Sequence, residues 1–296
     1  SLKTLNAGAD GNNTAVGYLA GTALTTGTQN TLIGSLAGDA LTDADYNVAL
    51  GTSALSADTL GSRAIAIGAG ALSRQNFTTA TDNYNIGIGY DAGLNITTGV
   101  QNTFVGGLAG DALTDADFNT TLGYATLSAD TLGSRSTAIG TFALNEQNFT
   151  TATDTYNTAI GYAAGGAITT GQYNTLLGGI AGDALTDSDF NVAIGYGSMT
   201  TSVLGSKNVS VGANTLGNMN PATAVEMYNV AVGHNAGQTV TTGVENTLIG
   251  GLSGDAITTG SENVALGYNS LSAGVASFYN TAIGKDALAA DTTGRH

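Results

Sequence analysis

The sequence predicts an all-β chain, a parallel β-solenoid of the β-roll or β-helix kind, and three observations carry that prediction. The hexapeptide Asn13–Tyr18, NTAVGY, returns in recognisable form sixteen times, beginning at Asn13, Asn30, Asn47, Ala64, Asn85, Asn102, Asn119, Ser136, Asn157, Asn174, Asn191, Asn208, Asn229, Asn246, Asn263 and Asn280. Successive starts are separated by 17, 17, 17 and 21 positions, and then the pattern begins again. The fifth residue is Gly in all sixteen copies and the fourth is always Val, Ile or Leu. Such strictness within one chain means that every copy occupies the same environment, which stacked neighbours provide and a mixed globular core does not. Each copy is one rung, in a short form or a long one.

Three short rungs and one long rung make a module. The modules run 13–84, 85–156, 157–228 and 229–296, the last shorter because its fourth rung has the short form, and residues 1–12 read as a partial leading rung. Whole modules have been duplicated: DALTDAD occurs at Asp39 and Asp111, and QNFTTATD at Gln75 and Gln147. Neither end carries a polar cap, and Ser1 is not Met, so the chain is expected to be a piece of a longer shaft.

A representative rung, Asn13–Gln29, reads as two arms and two corners: a β-prone arm at 14–18, a small-residue corner at Ala20 and Gly21, a short return arm at 23–25, and a Thr-Gly turn at Thr26 and Gly27. The long rungs that begin at Ala64, Ser136 and Asn208 keep the first arm and lengthen the return, which is expected to bulge outward. Stacked at about 4.8 Å, sixteen rungs would extend about 75 Å.

Position within the rung assigns roles. Asn at the first position suits a ladder, its amide bonding the backbone at a corner and the Asn of the next rung. Gly at the fifth suits either a backbone angle closed to other residues or the close approach of another chain. The third and fourth residues are both apolar in most rungs, as in Ala15 and Val16. Both faces of this arm are therefore expected to be buried, the outer one by a second or third copy of the chain. The third position is bulky once per module, at Leu32, Phe104, Leu176 and Leu248, and these residues are expected at that interface; the alternative is a slightly wider monomeric core.

Acidic clusters sit in the second rung of three modules: Asp39, Asp43 and Asp45; Asp111, Asp115 and Asp117; Asp183, Asp187 and Asp189; only Asp255 remains in the fourth. Clustered carboxylates suit calcium, but the spacing matches no established calcium loop and lacks a bidentate Glu. They read as solvated turns, partly balanced by Arg63, Arg135 and Lys207 at the end of the following rung. Tyr at the sixth position (Tyr18, Tyr90, Tyr124, Tyr162, Tyr196, Tyr268) reads as outward or inter-chain packing, with a sugar-stacking stripe as the alternative. The Thr-Thr-Gly turns at Thr25, Thr97, Thr169, Thr241 and Thr258 would need to recur on successive rungs to bind ice, and generally recur once per module.

Composition narrows the function. Seven Lys and Arg stand against 22 Asp and Glu, a net charge of −15, so nucleic acid and anionic membranes are not expected as partners. No run approaches the length of a membrane helix, and without cysteine the redox compartment stays open. His234 and His296 are the only histidines, no thiol exists, and no break in the repeat marks an active site; no catalytic, cofactor or metal residues are assigned and no cofactor or enzymatic activity is expected.

The pattern N-T-A-[VIL]-G-Y, followed by T-T-G-x-x-N, at 13–30, 85–102, 157–174 and 229–246 resembles the shaft repeats of phage tail fibres and related bacterial surface proteins. More loosely it is similar to the head repeats of trimeric autotransporter adhesins, left-handed parallel β-rolls of three chains, although this rung is longer. The resemblance implies a homotrimeric, extracellular fibre or adhesin shaft, on a virion or a bacterial cell surface, that projects a receptor-binding tip. It also implies a cell-surface glycan or protein as the partner of that tip. The alternative is a binding module whose Tyr-rich or loop-bearing face holds glycan or another surface ligand.

Overall fold

The computed structural model describes residues 1–3 and 10–292, so part of the leading rung and the end of the last, with His296, lie outside the described residues. The chain is an all-β parallel solenoid, and every strand or ladder among the described residues belongs to a stack of rungs. It divides into two compact units, Ser1–Phe142 with Asn148–Asp154, and Ala143–Gln147 with Thr155–His296. In the first, eight short strands stack in parallel: Thr14–Val16, Thr31–Ile33, Val48–Leu50, Ile65–Ile67, Ile86–Ile88, Thr103–Val105, Thr120–Leu122 and Thr137–Ile139. In the second the eight are Thr158–Ile160, Thr175–Leu177, Val192–Ile194, Val209–Val211, Val230–Val232, Thr247–Ile249, Val264–Leu266 and Thr281–Ile283.

Register follows the repeat. Thr14 pairs with Thr31 across a short rung, and Ile65 with Ile86 across a long one, so the added residues leave the main ladder undisturbed. They are taken up on the return side, where Thr78, Thr79 and Ala80 are exposed as expected of a bulge while Phe77 tucks into the core. That side gains short parallel ladders, Gly61–Ser62 with Thr81–Asp82, Gly133–Ser134 with Thr153–Asp154, and Gly205–Ser206 with Val225–Glu226. The return arm expected at 23–25 is not a strand. The chain turns through left-handed Leu19 (φ 53°) and Gly21 (φ 58°), and the segment is held instead by bonds to the next rung, Ala23 N to Asp39 O at 3.0 Å and Thr25 N to Thr42 O at 2.9 Å.

Within each strand the second and fourth residues of the rung point out and the third points in. This corrects the expectation for the bulky third-position residues. Leu32, Phe104, Leu176 and Leu248 are 0% exposed inside their own rung stacks, not on an outward face. Size complementarity explains them. Where the third position is large, the ninth position of that rung and of the rung before it is Gly: an added Cβ at Gly21 or Gly38 would press on Leu32, and one at Gly93 or Gly110 on Phe104. In the rungs of Ala49 and Ala66, where neither that rung nor the next has a bulky third residue, the ninth is Leu55 or Leu72, also fully buried. Bulk passes from one side of the core to the other along the module, which keeps the interior filled at a constant rung spacing.

The first-position Asn forms the expected ladder. Asn30 donates its backbone N–H to Asn13 Oδ1 at 2.9 Å, and its own Nδ2 donates to Asn13 Oδ1 at 3.0 Å and to Ala44 O at 2.7 Å. Asn47 repeats the pattern on Asn30 Oδ1 and Gly61 O, each at 2.9 Å. At Ala64 the column lacks its amide, and Asn83 supplies the missing acceptor: Asn85 N bonds Asn83 Oδ1 at 2.9 Å, while Asn83 Nδ2 is anchored on Ser62 O at 2.8 Å. The fifth-position Gly meets both of its expected requirements, the approaching chain being the next rung. Gly17 and Gly34 have φ of 134° and 140°, and a Cβ on Gly17 would fall on the carbonyl of Gly34.

A buried carboxylate terminates a second polar chain. Asp58, fully buried, accepts from Gln75 Nε2 at 2.6 Å and from the backbone N–H of Gly61 and of Phe77 at 3.0 Å, and Gln75 Oε1 in turn accepts from Asn85 Nδ2 at 2.9 Å. In the third module these positions are Ser202, Met219 and Asn229, and Asn229 Nδ2 meets Met219 Sδ at 3.9 Å. Asp58→Ala strands three buried donors and should lower unfolding stability in urea by about 3–5 kcal/mol. Asp58→Ser with Gln75→Met, the third-module combination, should lose less than Asp58→Ser alone, because no amide is then left seeking the carboxylate.

Candidate functional site

The outward side of the main ladder is the most distinctive surface. Of its fourth-position residues Val16, Leu50, Leu122, Leu177, Leu266 and Ile283 are exposed and the others half-buried, and the second position is Thr, Val or Ile in every rung. No second- or fourth-position residue is charged in any of the sixteen rungs, although the chain carries a net charge of −15. Parallel sheets are almost always covered on both faces. The uncovered apolar face of this arm is therefore set by its second and fourth residues.

Two columns border that face. On one side stand the sixth-position tyrosines, 51% to 71% exposed, which places them outward as expected. Where Gly precedes Tyr by one rung, the ring leans over it: a Cβ on Gly107 would lie 3.6 Å from Tyr124, and one on Gly179 3.5 Å from Tyr196. On the other side stands the residue before each first-position Asn, which sequence reading missed. It adopts a left-handed backbone in rung after rung, with φ of 58° at Gln29, 60° at Tyr46, 65° at Arg63 and 53° at Tyr84. Left-handed backbone is uncommon for bulky residues, and the column carries no Gly or Asn run that would announce it. The turn aims these side chains along the stack. Tyr156, Tyr173 and Phe190 stack with centroids 5.5 Å and 4.8 Å apart, and the Arg63 guanidinium lies 4.6 Å from the centre of the Tyr46 ring.

The acidic clusters are divided by the structure into two kinds. Asp43, Asp115 and Asp187 accept the hydroxyls of Thr26, Thr98 and Thr170 in the preceding rung at 2.6, 2.6 and 2.8 Å. Asp45, Asp117 and Asp189 accept the backbone N–H of Thr28, Val100 and Gln172 at 2.6 to 2.7 Å. These six are clips between rungs. The expected balancing by Arg63, Arg135 and Lys207 is not what forms: they pair with Asp82, Asp154 and Glu226 on the lengthened returns, at 3.0, 3.0 and 2.5 Å, because the bulge brings those carboxylates alongside. Among the described residues no group of three or more His, Cys, Asp or Glu is placed to hold a metal ion. The hydroxyls of Thr25, Thr97, Thr169, Thr241 and Thr258 each bond a carbonyl of the next rung at 3.0 to 3.2 Å. His234, at a sixth position, is exposed.

No family model, curated protein or solved structure matches this chain.

One acidic position is out of balance. Oδ1 of Asp39, Asp111 and Asp255 is buried without a hydrogen-bond partner, whereas Asp183 Oδ1 accepts from Thr200 Oγ1 at 2.7 Å. Burial raises the carboxyl pKa of Asp39, Asp111 and Asp255 above the ordinary value of 3.8, against a smaller lowering by their own backbone N–H. A raised folded-state pKa means that the protonated form favours folding: the benefit is full below 3.8 and is lost as pH rises through the folded value. Asp39→Asn with Asp111→Asn should thus raise Tm at pH 7 and leave it unchanged at pH 3, a difference that thermal melts at the two pH values would read.

Proposed function

We propose that the chain is a segment of a fibre or adhesin shaft, an extracellular structural element on a virion or bacterial surface, whose copies associate along the outward face of the main ladder. The observation that carries this reading is the uncharged apolar face repeated in every rung. In each unit eight rungs at about 4.8 Å span about 38 Å, and about six residue steps of about 3.3 Å separate the left-handed corner column from the sixth position. That makes roughly 800 Å² per unit, about what one partner contributes to a standard interface. Only a partner with the same rise can keep its side chains in step over eight rungs, and another copy of this chain has that rise. Three copies is the number that the resemblance to fibre shafts and trimeric adhesins implies, with the chain holding a receptor-binding tip away from the surface and performing no catalysis.

Uniformity supports a mechanical role over a catalytic one. Fourteen of the sixteen rungs begin with the ladder Asn and all sixteen carry the fifth-position Gly, and a stack of like rungs transmits force through repeated hydrogen bonds. Asp43, Asp45 and their counterparts are engaged in hydrogen bonds to the preceding rung, so assembly is expected to be indifferent to chelators.

Light scattering over a range of concentrations, with and without calcium, tests the proposal. A three-chain mass in both conditions is expected, and Leu50→Lys with Leu177→Lys should give a monomer with the parent circular dichroism. Phe104→Ala serves as the contrast: it should cost about 3–5 kcal/mol of stability as a core cavity while leaving the assembled mass intact. A parent chain that stays monomeric at every concentration overturns the reading.

A further inference from the structure

The left-handed corner column changes character in the third module, and a recess opens there. In the first two modules Tyr46 is followed one rung later by Arg63, and Phe118 by Arg135; each guanidinium lies 4.6 Å from the centre of the ring before it. In the third, Phe190 is followed by Lys207. The shorter-reaching ammonium turns away, bonding Glu226 Oε1 at 2.5 Å and Tyr228 Oη at 3.3 Å, with the Tyr228 ring 5.4 Å off. Those bonds raise the Lys207 pKa and lower that of Glu226, so both stay charged and the pair stays closed. Phe190 is 51% exposed where Phe118, the same residue at the same position, is 39% exposed.

The result is a recess of about 340 Å³ lined by Phe190, Ser206, Lys207, Val225 and Glu226, with Asp187 and Asp189 along its edge. One face of the Phe190 ring rests on Tyr173 at 4.8 Å, which fixes its plane. We propose that this recess binds a neutral saccharide, the apolar C–H face of one sugar ring lying on Phe190 and its hydroxyls bonding the carboxylates of Asp187 and Asp189, the Ser206 hydroxyl and the Lys207 ammonium.

The chemistry selects among ligands. Three carboxylates against one ammonium leave the recess with net negative charge, which turns away phosphate, sulfate and acidic sugars. A single aromatic wall does not enclose a quaternary ammonium as an aromatic cage does. A hydroxylated ring with one apolar face matches one aromatic plane bordered by polar groups, and the volume, at the small end of ligand pockets, suits a mono- or disaccharide. In the first two modules the guanidinium lies over the ring face that the sugar would need.

That comparison supplies the test. The full-length chain, fluorescently labelled, is applied to an array carrying neutral, amino and acidic saccharides, and the neutral binders are then titrated by calorimetry. Binding to neutral saccharides is expected. Lys207→Arg, which installs the residue of the first two modules, should weaken it about tenfold or more, and Phe190→Ala should abolish it. Circular dichroism of each variant establishes that the rungs are intact, and Lys207→Arg carries the test even if Phe190→Ala loosens the stack. The proposal is overturned if no neutral saccharide binds, if only acidic saccharides or amines bind, or if Lys207→Arg binds like the parent.

Discussion

The bond from one rung's backbone N–H to the preceding rung's Asn Oδ1 is the constraint on which the rest depends. It runs from Asn13 to Asn30 to Asn47, and again from Asn157 through Asn174 to Asn191 and beyond. A buried amide offers one acceptor and two donor hydrogens, and here the acceptor faces the next rung while Nδ2 closes the far end of its own rung, as Asn30 does on Ala44 O and Asn174 on Ser188 O. Rung spacing and rung closure are thus fixed by the same side chain. An unmet amide in this interior would cost about 1–3 kcal/mol, which explains why the gap in the column at Ala64 is repaired by Asn83 rather than left open.

With spacing fixed, everything else must fit a constant rise. Glycine at the fifth position follows, because the neighbouring backbone lies where a Cβ would be. So does the exchange of bulk between the third and ninth positions, since a rung that cannot thicken can only shift volume sideways. The extra residues of the long rungs have one place to go, the return side, where they displace nothing in the main ladder. The internal bonds leave the outward face unclaimed: its apolar fourth-position residues face away from the core of the rung stack.

Near-repetition makes the chain its own mutant series. Asp58 and Gln75 in one module answer to Ser202 and Met219 in another, a paired exchange of a polar contact for a sulfur contact at one place in the fold. Arg63 and Arg135 answer to Lys207, and the loss of a flat guanidinium uncovers an aromatic ring. Such exchanges show which positions the rung requires and which it lends to surface chemistry.

Repeat period, the place of the first arm and the Asn and Gly columns were all determined by the sequence alone, because each depends on local geometry that recurs once per rung, whereas the return arm expected at 23–25 is not a strand and the first arm is a strand only over Thr14–Val16. The bulge of the long return was legible for the same reason. Direction was not. Leu32 and Phe104 are apolar next to apolar fourth-position residues, and only the pleat of the folded strand decides that the third points inward and the fourth outward. Nor could the sequence show the left-handed corner, since Tyr46 and Arg63 carry no turn signal and are held there by their backbone N–H bonds to Thr28 O and Asp45 O of the preceding rung. The pairing of Arg63 with Asp82 rather than with the acidic cluster of the previous rung, and the recess beside Phe190, belong to the tertiary structure as well. They arise from which side chains the stack brings abreast, and that is a property of the rungs together, not of any one of them.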